Sequence, residues 1–447
     1  MEQTFMKEKP VLPLVLSMSL PMVLSMLTNS LYNIIDSYFV AKISEEAMTA
    51  ISLVFPLQLL VNSAGVGFGI GINAAAAFFL GAQQHEKAND ATSAGLLLSL
   101  FHGIALTALC VTVIPHFLRL FTDTSAILEY GLDYSYIVFS FAPVITVGIA
   151  FEKVYQAEGK MTISMASMLC GCITNILLDP LMIFGVGPFP AMGIRGAAWA
   201  TAIGQVVTLI IYIAIYFLKP LPLRVCFRRE MLDSQLCRQL YIVGIPAALN
   251  MALPSLLITC LNGILASFSQ TYVFVLGVYY KLQTFIYLTA NGIVQGIRPI
   301  VGYNYGAKEY ERIHKVVHTS LLLTVGVMAA GTLICLTAAG PLMGLFTENT
   351  ATIQAGRSAL RIISLGFIVS SVSVIVSGTL EGLGKGIHSM MISLMRNIVV
   401  ILPAAFLLSR FLGAAGVWHG FWITEAVTAL AAWTLYEKYV RKKLLRQ

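Results

Sequence analysis

Apolar stretches of about 18 residues or more recur along the whole of this 447-residue chain, and they leave few folds open. Each is long enough to cross roughly 30 Å of hydrocarbon as an α-helix. Only helices and closed barrels satisfy their backbone polar groups in hydrocarbon, and a barrel would show short alternating segments instead. Hydrophobic residues make up 57% of the chain and charged residues 11%, with a mean hydropathy of +0.82. Water cannot be the solvent for most of such a surface, so the expected class is an all-α integral membrane protein. Twelve spans are expected, beginning near residues 12, 47, 91, 131, 161, 196, 240, 272, 316, 354, 386 and 413. The first ten residues, MEQTFMKEKP, lead straight into an apolar segment too long for a signal-peptide core, so this segment is expected to be retained.

Cytoplasmic loops carry the excess of Lys and Arg, which orients the spans. Nineteen cations fall on one side: Lys7, Lys9, Lys87, Lys153, Lys160, Lys308, Arg312, Lys315, Lys385, the linker's Lys219, Arg224, Arg228, Arg229 and Arg238, and the tail's Lys438, Arg441, Lys442, Lys443 and Arg446. Six fall on the other: Lys42, Arg119, Arg195, Arg357, Arg361 and Arg410. Both termini are therefore expected in the cytoplasm, with the chain in the inner (cytoplasmic) membrane. The net charge of +7 is accounted for by topology, and no nucleic-acid partner is expected. The seven cysteines show neither a CxxC pair nor another metal spacing, and there is no HExxH or GxxxxGK[ST] motif. No cofactor is expected, and any energy must come from an ion gradient.

The chain is a tandem repeat. GAQQHEKAND from Gly81 returns as GAKEYERIHK from Gly306, an offset of 306 − 81 = 225. At that offset Pro21 meets Pro246 and Gly159-Lys160 meets Gly384-Lys385, while GAAWATAIGQ from Gly196 meets GVWHGFWITE from Gly416 with a shift of five. Six is an even number of crossings, so two six-span copies run in the same orientation. Residues 1–222 are expected to form an N-lobe, 223–238 a cytoplasmic linker and 239–447 a C-lobe. Parallel repeats of this kind build transporters, with a cavity near the midplane.

Carboxylates inside such spans cost at least a few kcal/mol to bury, so their default reading is functional. Asp179 in TNILLDP lies four residues after Asn175, on one helix face. Asp36 is six residues before the outer Lys42, Asp179 six before Gly185 at an outer span end, and Thr201 six after the outer Arg195. At about 1.5 Å per residue, all three lie roughly 10 Å inside the outer boundary. These oxygens suit a small hard cation such as Na+ at Asp36, Asn175, Asp179 and Thr201, or a proton shared between two carboxyls. The plainer reading of Asn175 and Thr201 is helix-packing hydrogen bonds.

Taken as an ordered set, these features resemble the multidrug and toxic compound extrusion (MATE) family over essentially the whole chain. They are the two six-span halves, Pro21 and Asp36 in the first span, TNILLDP in the fifth, and MGIRGAAWAT leading the sixth. QGIRPIVGYNYGAKEYERIHK, Gln295 to Lys315, is similar to the MepA-like bacterial branch. The resemblance implies a V-shaped pair of lobes that exports drug-like cations by alternating access in exchange for H+ or Na+, and a monomer in the bilayer that is not an enzyme. It also implies a cation site at Asp36, Asn175, Asp179, Ala197 and Thr201, and a hinge at Pro21. Where some members carry a seventh-span acid, this chain has only Asn250 and Asn262. One coupling site, in the N-lobe, is expected.

The C-lobe carries further charges inside spans: Lys281, Arg298, Arg396 and Glu425. Arg396 and Glu425 are expected either to pair with each other or, with Tyr279, Tyr280, Lys281 and Arg298, to line a substrate cavity. Tyr32, one turn before Asp36, either stacks on a cationic substrate or packs in the core. Two rivals remain: a related flippase for lipid-linked saccharides, which would use the C-lobe cations, and an intramembrane enzyme, which would need a histidine, nucleophile and acid at one depth.

Overall fold

The computed structural model describes residues 4–219, 222–226 and 228–441, with Arg229 and Glu230 by their backbone alone. Lys442, Lys443 and Arg446, counted above among the cytoplasmic cations, lie outside the described residues. The helices in chain order are α1 (Phe5–Glu8), α2 (Val11–Ala41), α3 (Glu45–Gly81), α4 (His85–Arg119), α5 (Ser125–Ser140), α6 (Ala142–Ala157), α7 (Met161–Phe184), α8 (Ile194–Leu218), α9 (Ser234–Ala266), α10 (Gln270–Gly306), α11 (Tyr310–Gly344), α12 (Thr350–Ser364), α13 (Phe367–Gly382), α14 (Gly386–Leu394), α15 (Ile401–Leu412) and α16 (Ala414–Tyr436). No strand occurs among the described residues.

Nine of these segments are long and apolar enough to cross a membrane, counting Gly386–Leu412 as one. Two pairs, α5 with α6 and α12 with α13, meet the same measure only when taken together and are bent by 47° and 52°, which gives up to eleven spans if each pair is one crossing. The break in the first pair precedes Pro143, and that in the second falls at Leu365-Gly366. α16, with 23 residues, begins where the twelfth span is expected but is not among the segments that are long and apolar enough by this measure. The side-chain pattern is the inverse of a water-soluble helix. On α4 the buried positions are mostly small (Ala88, Ala91, Ser93, Gly95, Ser99, Gly103), and Leu100, Phe101, Ile104, Leu109 and Val113 are exposed. Small residues let helix backbones approach closely when lipid covers the large ones.

Both repeats fold alike. α3, α4, α5, α6 and α7 begin 225 residues before α10, α11, α12, α13 and α14. Their packing partners correspond: α3 touches α4, α5 and α6, as α10 touches α11, α12 and α13. The turns correspond too. Ser44 and Ser269 cap α3 and α10, Gln83 and Lys308 take φ of 59° and 61°, and Gly159 and Gly384 take φ of 77° and 72°. The recurrence of AEGK as GLGK thus has a backbone cause, since only glycine adopts that left-handed turn without strain.

The chain divides into two compact units, Leu24–Ala248 and Met1–Val23 with Leu249–Gln447. The boundaries fall within α2 and α9, so residues 1–23 group with the second repeat. Glycines explain this grouping. A Cβ at Gly292 or Gly296 of α10 would strike Val23 or Ser19, and one at Gly67 or Gly71 of α3 would strike Ala248 or Leu240. In the first unit named, the linker is held by its backbone: N–H groups of Leu223, Arg224 and Cys226 donate to Glu158, Asn89 and Ser93 at 2.9, 2.7 and 2.8 Å. Burial pushes the Glu158 carboxyl above its ordinary range, and the Leu223 N–H and Lys160 work against that.

Candidate functional site

The α7–α8 hairpin of unit Leu24–Ala248 is packed backbone to backbone. A Cβ at Gly171 would lie 2.7 Å from the Gly204 carbonyl, one at Gly204 2.8 Å from the Gly171 carbonyl, and one at Gly196 2.5 Å from the Met182 carbonyl. This contact sets Asn175 and Asp179 of α7 against Ala197 and Thr201 of α8. Asn175 Nδ2 donates to Thr201 Oγ1 at 3.3 Å. The carboxyls of Asp36 on α2 and Asp179 lie within hydrogen-bonding reach of each other.

Two further residues join them. Tyr134 of α5 accepts from Gln58 Nε2 at 3.1 Å, and Tyr32 lines the adjoining cavity together with Thr201. Nothing in the sequence marked Tyr134 or Gln58, because a neutral polar side chain in a span is common enough to pass as packing. The cluster is dry: Asp36 is 9% exposed, Asn175 2% and Asp179 0%. Yet Asp36 Oδ1, both Asp179 oxygens and Asn175 Oδ1 find no hydrogen-bond donor among the described residues. An acceptor left unmet in such a place costs about 1–3 kcal/mol, more when charged. Four orphaned oxygens converging from two helices call for something electropositive. A proton shared by the acids, or a hard cation with oxygen ligands, fits that donor set. Among the described residues no group of three or more His, Cys, Asp or Glu could hold a metal.

A cavity of about 180 Å3 extends from this cluster, lined by Tyr32, Asn175 and Thr201 and further by Asn29, Asn62, Glu152 and Gln205. Glu152 is paired with Lys153 at 2.8 Å.

The charges of the second repeat form two ion pairs. Arg298 meets Glu381 at 2.6 Å, and Glu381 also accepts from Ser389 at 3.0 Å. Arg396 meets Glu425 at 2.7 Å, donates to Tyr287 at 3.0 Å, and lies over that ring. A cavity of about 130 Å3 separates the arginines, and both line it. The structure does not bring the other expected cavity residues to it. Tyr279 is packed against Phe367 and Phe421, Tyr280 adjoins Tyr279, and Lys281 is exposed above the Phe346 ring. Glu381 was missed from sequence, since at the end of its span it reads as an interfacial charge.

Comparison with known proteins agrees with this architecture. The MatE family profile matches twice, at residues 21–181 and 246–407, and the two matches start 246 − 21 = 225 residues apart. The chain is similar to the multidrug export protein MepA of Staphylococcus aureus (strain MRSA252), 27% identical over 439 residues, covering 96% of this chain and 95% of the relative. MepA of Staphylococcus saprophyticus is 25% identical over 418 residues, covering 93% and 91%. Among solved structures, MATE in the bent conformation superposes with a TM-score of 0.93 at 22% identity over 100% of this chain and 99% of that one. An outward-facing multidrug resistance MATE family transporter of the MOP superfamily gives 0.92 at 22% identity, covering 99% of each chain. This multi-pass, all-helical chain belongs to the MatE family, the multidrug and toxic compound extrusion transporters.

Proposed function

We propose that the protein exports amphiphilic, cationic small molecules from the cytoplasm by alternating access, in exchange for entering H+ or Na+ bound at Asp36, Asn175, Asp179 and Thr201. The carrying observation is the set of orphaned oxygens in a dry pocket. An ion that satisfies them holds one conformation of the lobe more tightly than another, and only such a difference lets a gradient drive a conformational cycle. Ala197, fully buried one turn before Thr201, keeps the pocket wall small. Pro21, inside α2, supplies a point where the helix can bend, because proline lacks the N–H that would close the turn. Tyr32 lines the adjoining cavity and offers its ring to a cationic substrate. The protein works as a monomer in the inner membrane with both termini in the cytoplasm. The cavity of about 130 Å3 at Arg298 and Arg396 is too small for the head group of a pyrophosphate-carrying lipid, which speaks against that substrate.

The test is dye efflux from proteoliposomes with pH and sodium gradients imposed separately. Efflux should follow one of them and disappear in Asp36→Asn and Asp179→Asn, with thermal unfolding little changed. Normal coupled efflux by Asp179→Asn would defeat the reading.

A further inference from the structure

The two polar cavities occupy equivalent places in the repeat. Val66, Gly148, Ile149, Glu152, Met168 and Gly171 line the first, and their partners at +225, Asn291, Ser373, Val374, Ser377, Ser393 and Arg396, line the second. The scaffold is shared, but the charge is inverted. Glu152 has become Ser377, Gly171 has become Arg396, and Asn73 has become Arg298. Where the first cavity presents one carboxylate, the second presents two guanidiniums and one carboxylate, Glu381.

Each guanidinium is used on one side only. Arg298 donates through Nε to Glu381, with Nη2 beside the same oxygen. Arg396 donates through Nε to Glu425 and through Nη2 to Tyr287. Among the described residues, Nη1 of neither arginine donates a hydrogen bond, and the two side chains keep 15% and 23% of their surface open. Glu425 lies behind Arg396 and lines no part of the cavity, so the charges facing the space are two positive and one negative. The one carboxylate that faces it, Glu381, has one oxygen on Arg298 and the other on Ser389. Asn291 and Ser393 add polar side chains to the wall, while the Ser373 and Ser377 hydroxyls, which also line it, donate to the Ser370 carbonyl and to Ser389 Oγ. Arg396 also sits in a π-helical turn, Met395–Val399, that interrupts the span between α14 and α15. Such turns commonly mark functional positions.

Volume limits the ligand. About 130 Å3 holds about four waters at roughly 30 Å3 each, far below the roughly 300–1,000 Å3 of drug-sized sites. We propose that this second-repeat cavity is a binding site for a single small carboxylate or comparable monoanion, held between the free edges of Arg298 and Arg396. The anion is either free in solution or the carboxylate of a zwitterionic substrate whose remainder stays outside.

The test uses the full-length protein in detergent at constant ionic strength, with thermal unfolding followed as acetate replaces gluconate, which is too large for the cavity. Wild type should show a saturable upward shift. Ser393→Met, which installs the residue of the equivalent position in the first repeat, should fill the cavity and abolish the shift with both ion pairs intact. Arg298→Gln with Glu381→Gln removes one guanidinium without stranding a carboxylate, and should weaken half-saturation at least about tenfold, the equivalent of about 1.4 kcal/mol. Asp36→Asn should leave the acetate response unchanged, which separates this site from the coupling site. Absence of a saturable shift in wild type, or a wild-type response in Ser393→Met, overturns the proposal. For the source, acetate should compete with efflux of a zwitterionic quinolone but not of tetraphenylphosphonium if the site takes substrate carboxylate, and with neither if it takes a free anion.

Discussion

Gly171→Ala tests whether the α7–α8 contact is what places the coupling residues. The new methyl would lie 1.9 Å from Thr208 Oγ1 and 2.7 Å from the Gly204 carbonyl oxygen, where an ordinary contact begins at 3.4 Å. Thr208 can turn its hydroxyl away, at the cost of its 3.0 Å bond to that same carbonyl. The backbone oxygen cannot move without the helix. Restoring ordinary contact separates the helices by 3.4 − 2.7 = 0.7 Å at this level, which would take the Asn175–Thr201 bond from 3.3 Å to 4.0 Å and break it. Overpacking of this size costs about 1–3 kcal/mol. The expected outcome is a lower unfolding temperature together with coupled efflux that needs a steeper ion gradient for half-maximal rate. Gly326→Ala on α11 is the matched control, since a Cβ there meets nothing within 4 Å and should be neutral or mildly stabilising. Wild-type gradient dependence in Gly171→Ala would show that the helix contact does not set the site.

Arg396→Gln should destabilise by about 3–5 kcal/mol in thermal or denaturant unfolding because it strands Glu425, and adding Glu425→Gln should recover much of that. If the double variant is no more stable than the single, the pair is not what holds these helices. Asn89→Ala removes the acceptor of the Arg224 N–H, so amide exchange at residues 223–226 should quicken while that of α4 stays protected. Lys281→Gln, on an exposed side chain over Phe346, should change stability by less than about 0.5 kcal/mol and leave efflux at wild-type rate.

What the sequence revealed about the site came from cost. Asp36 and Asp179 are legible because a carboxylate in hydrocarbon demands a reason, and a fixed rise per residue converts position in a span into depth. The same arithmetic applied to Thr201, and the four-residue spacing of Asn175 from Asp179, use stretches where both helices are regular, and Asn175 donates to Thr201 at 3.3 Å. Tyr134 and Gln58 escaped because neutral groups carry no such penalty, and Tyr134 belongs to a crossing bent at Phe141, where a straight count of depth fails. Lys281 and Tyr279 show the opposite limit. Periodicity says that a residue is in a span, but not which way it faces: Lys281 is exposed, while Tyr279, two positions earlier, is core. The offset of 225 was the most informative feature for the fold, since it fixed helix order, turn geometry and packing partners together.

That offset also explains why a single coupling site is expected in a twofold scaffold. The positions equivalent to Tyr32, Asp36, Tyr134, Asn175 and Asp179 are Leu257, Leu261, Ala359, Val400 and Ala404, and those of Ala197 and Thr201, with the shift of five, are Val417 and Phe421. Leu257, Leu261, Ala359, Val417 and Phe421 are all buried. Of the side chains named at the first site only Gln58 keeps an oxygen in the second repeat, as Gln283, and no carboxylate remains to share a proton or to ligate a hard cation at this place. Polarity has instead moved to the neighbouring cavity, where Arg298 and Arg396 replace Asn73 and Gly171. Gly67 and Gly71 recur as Gly292 and Gly296, and Gly159 as Gly384, where close helix approach or a left-handed turn requires them, whereas Gly148 and Gly171 have become Ser373 and Arg396. The side chains that face the two interior cavities have been free to diverge, and their divergence in charge is what gives the two halves different chemistry.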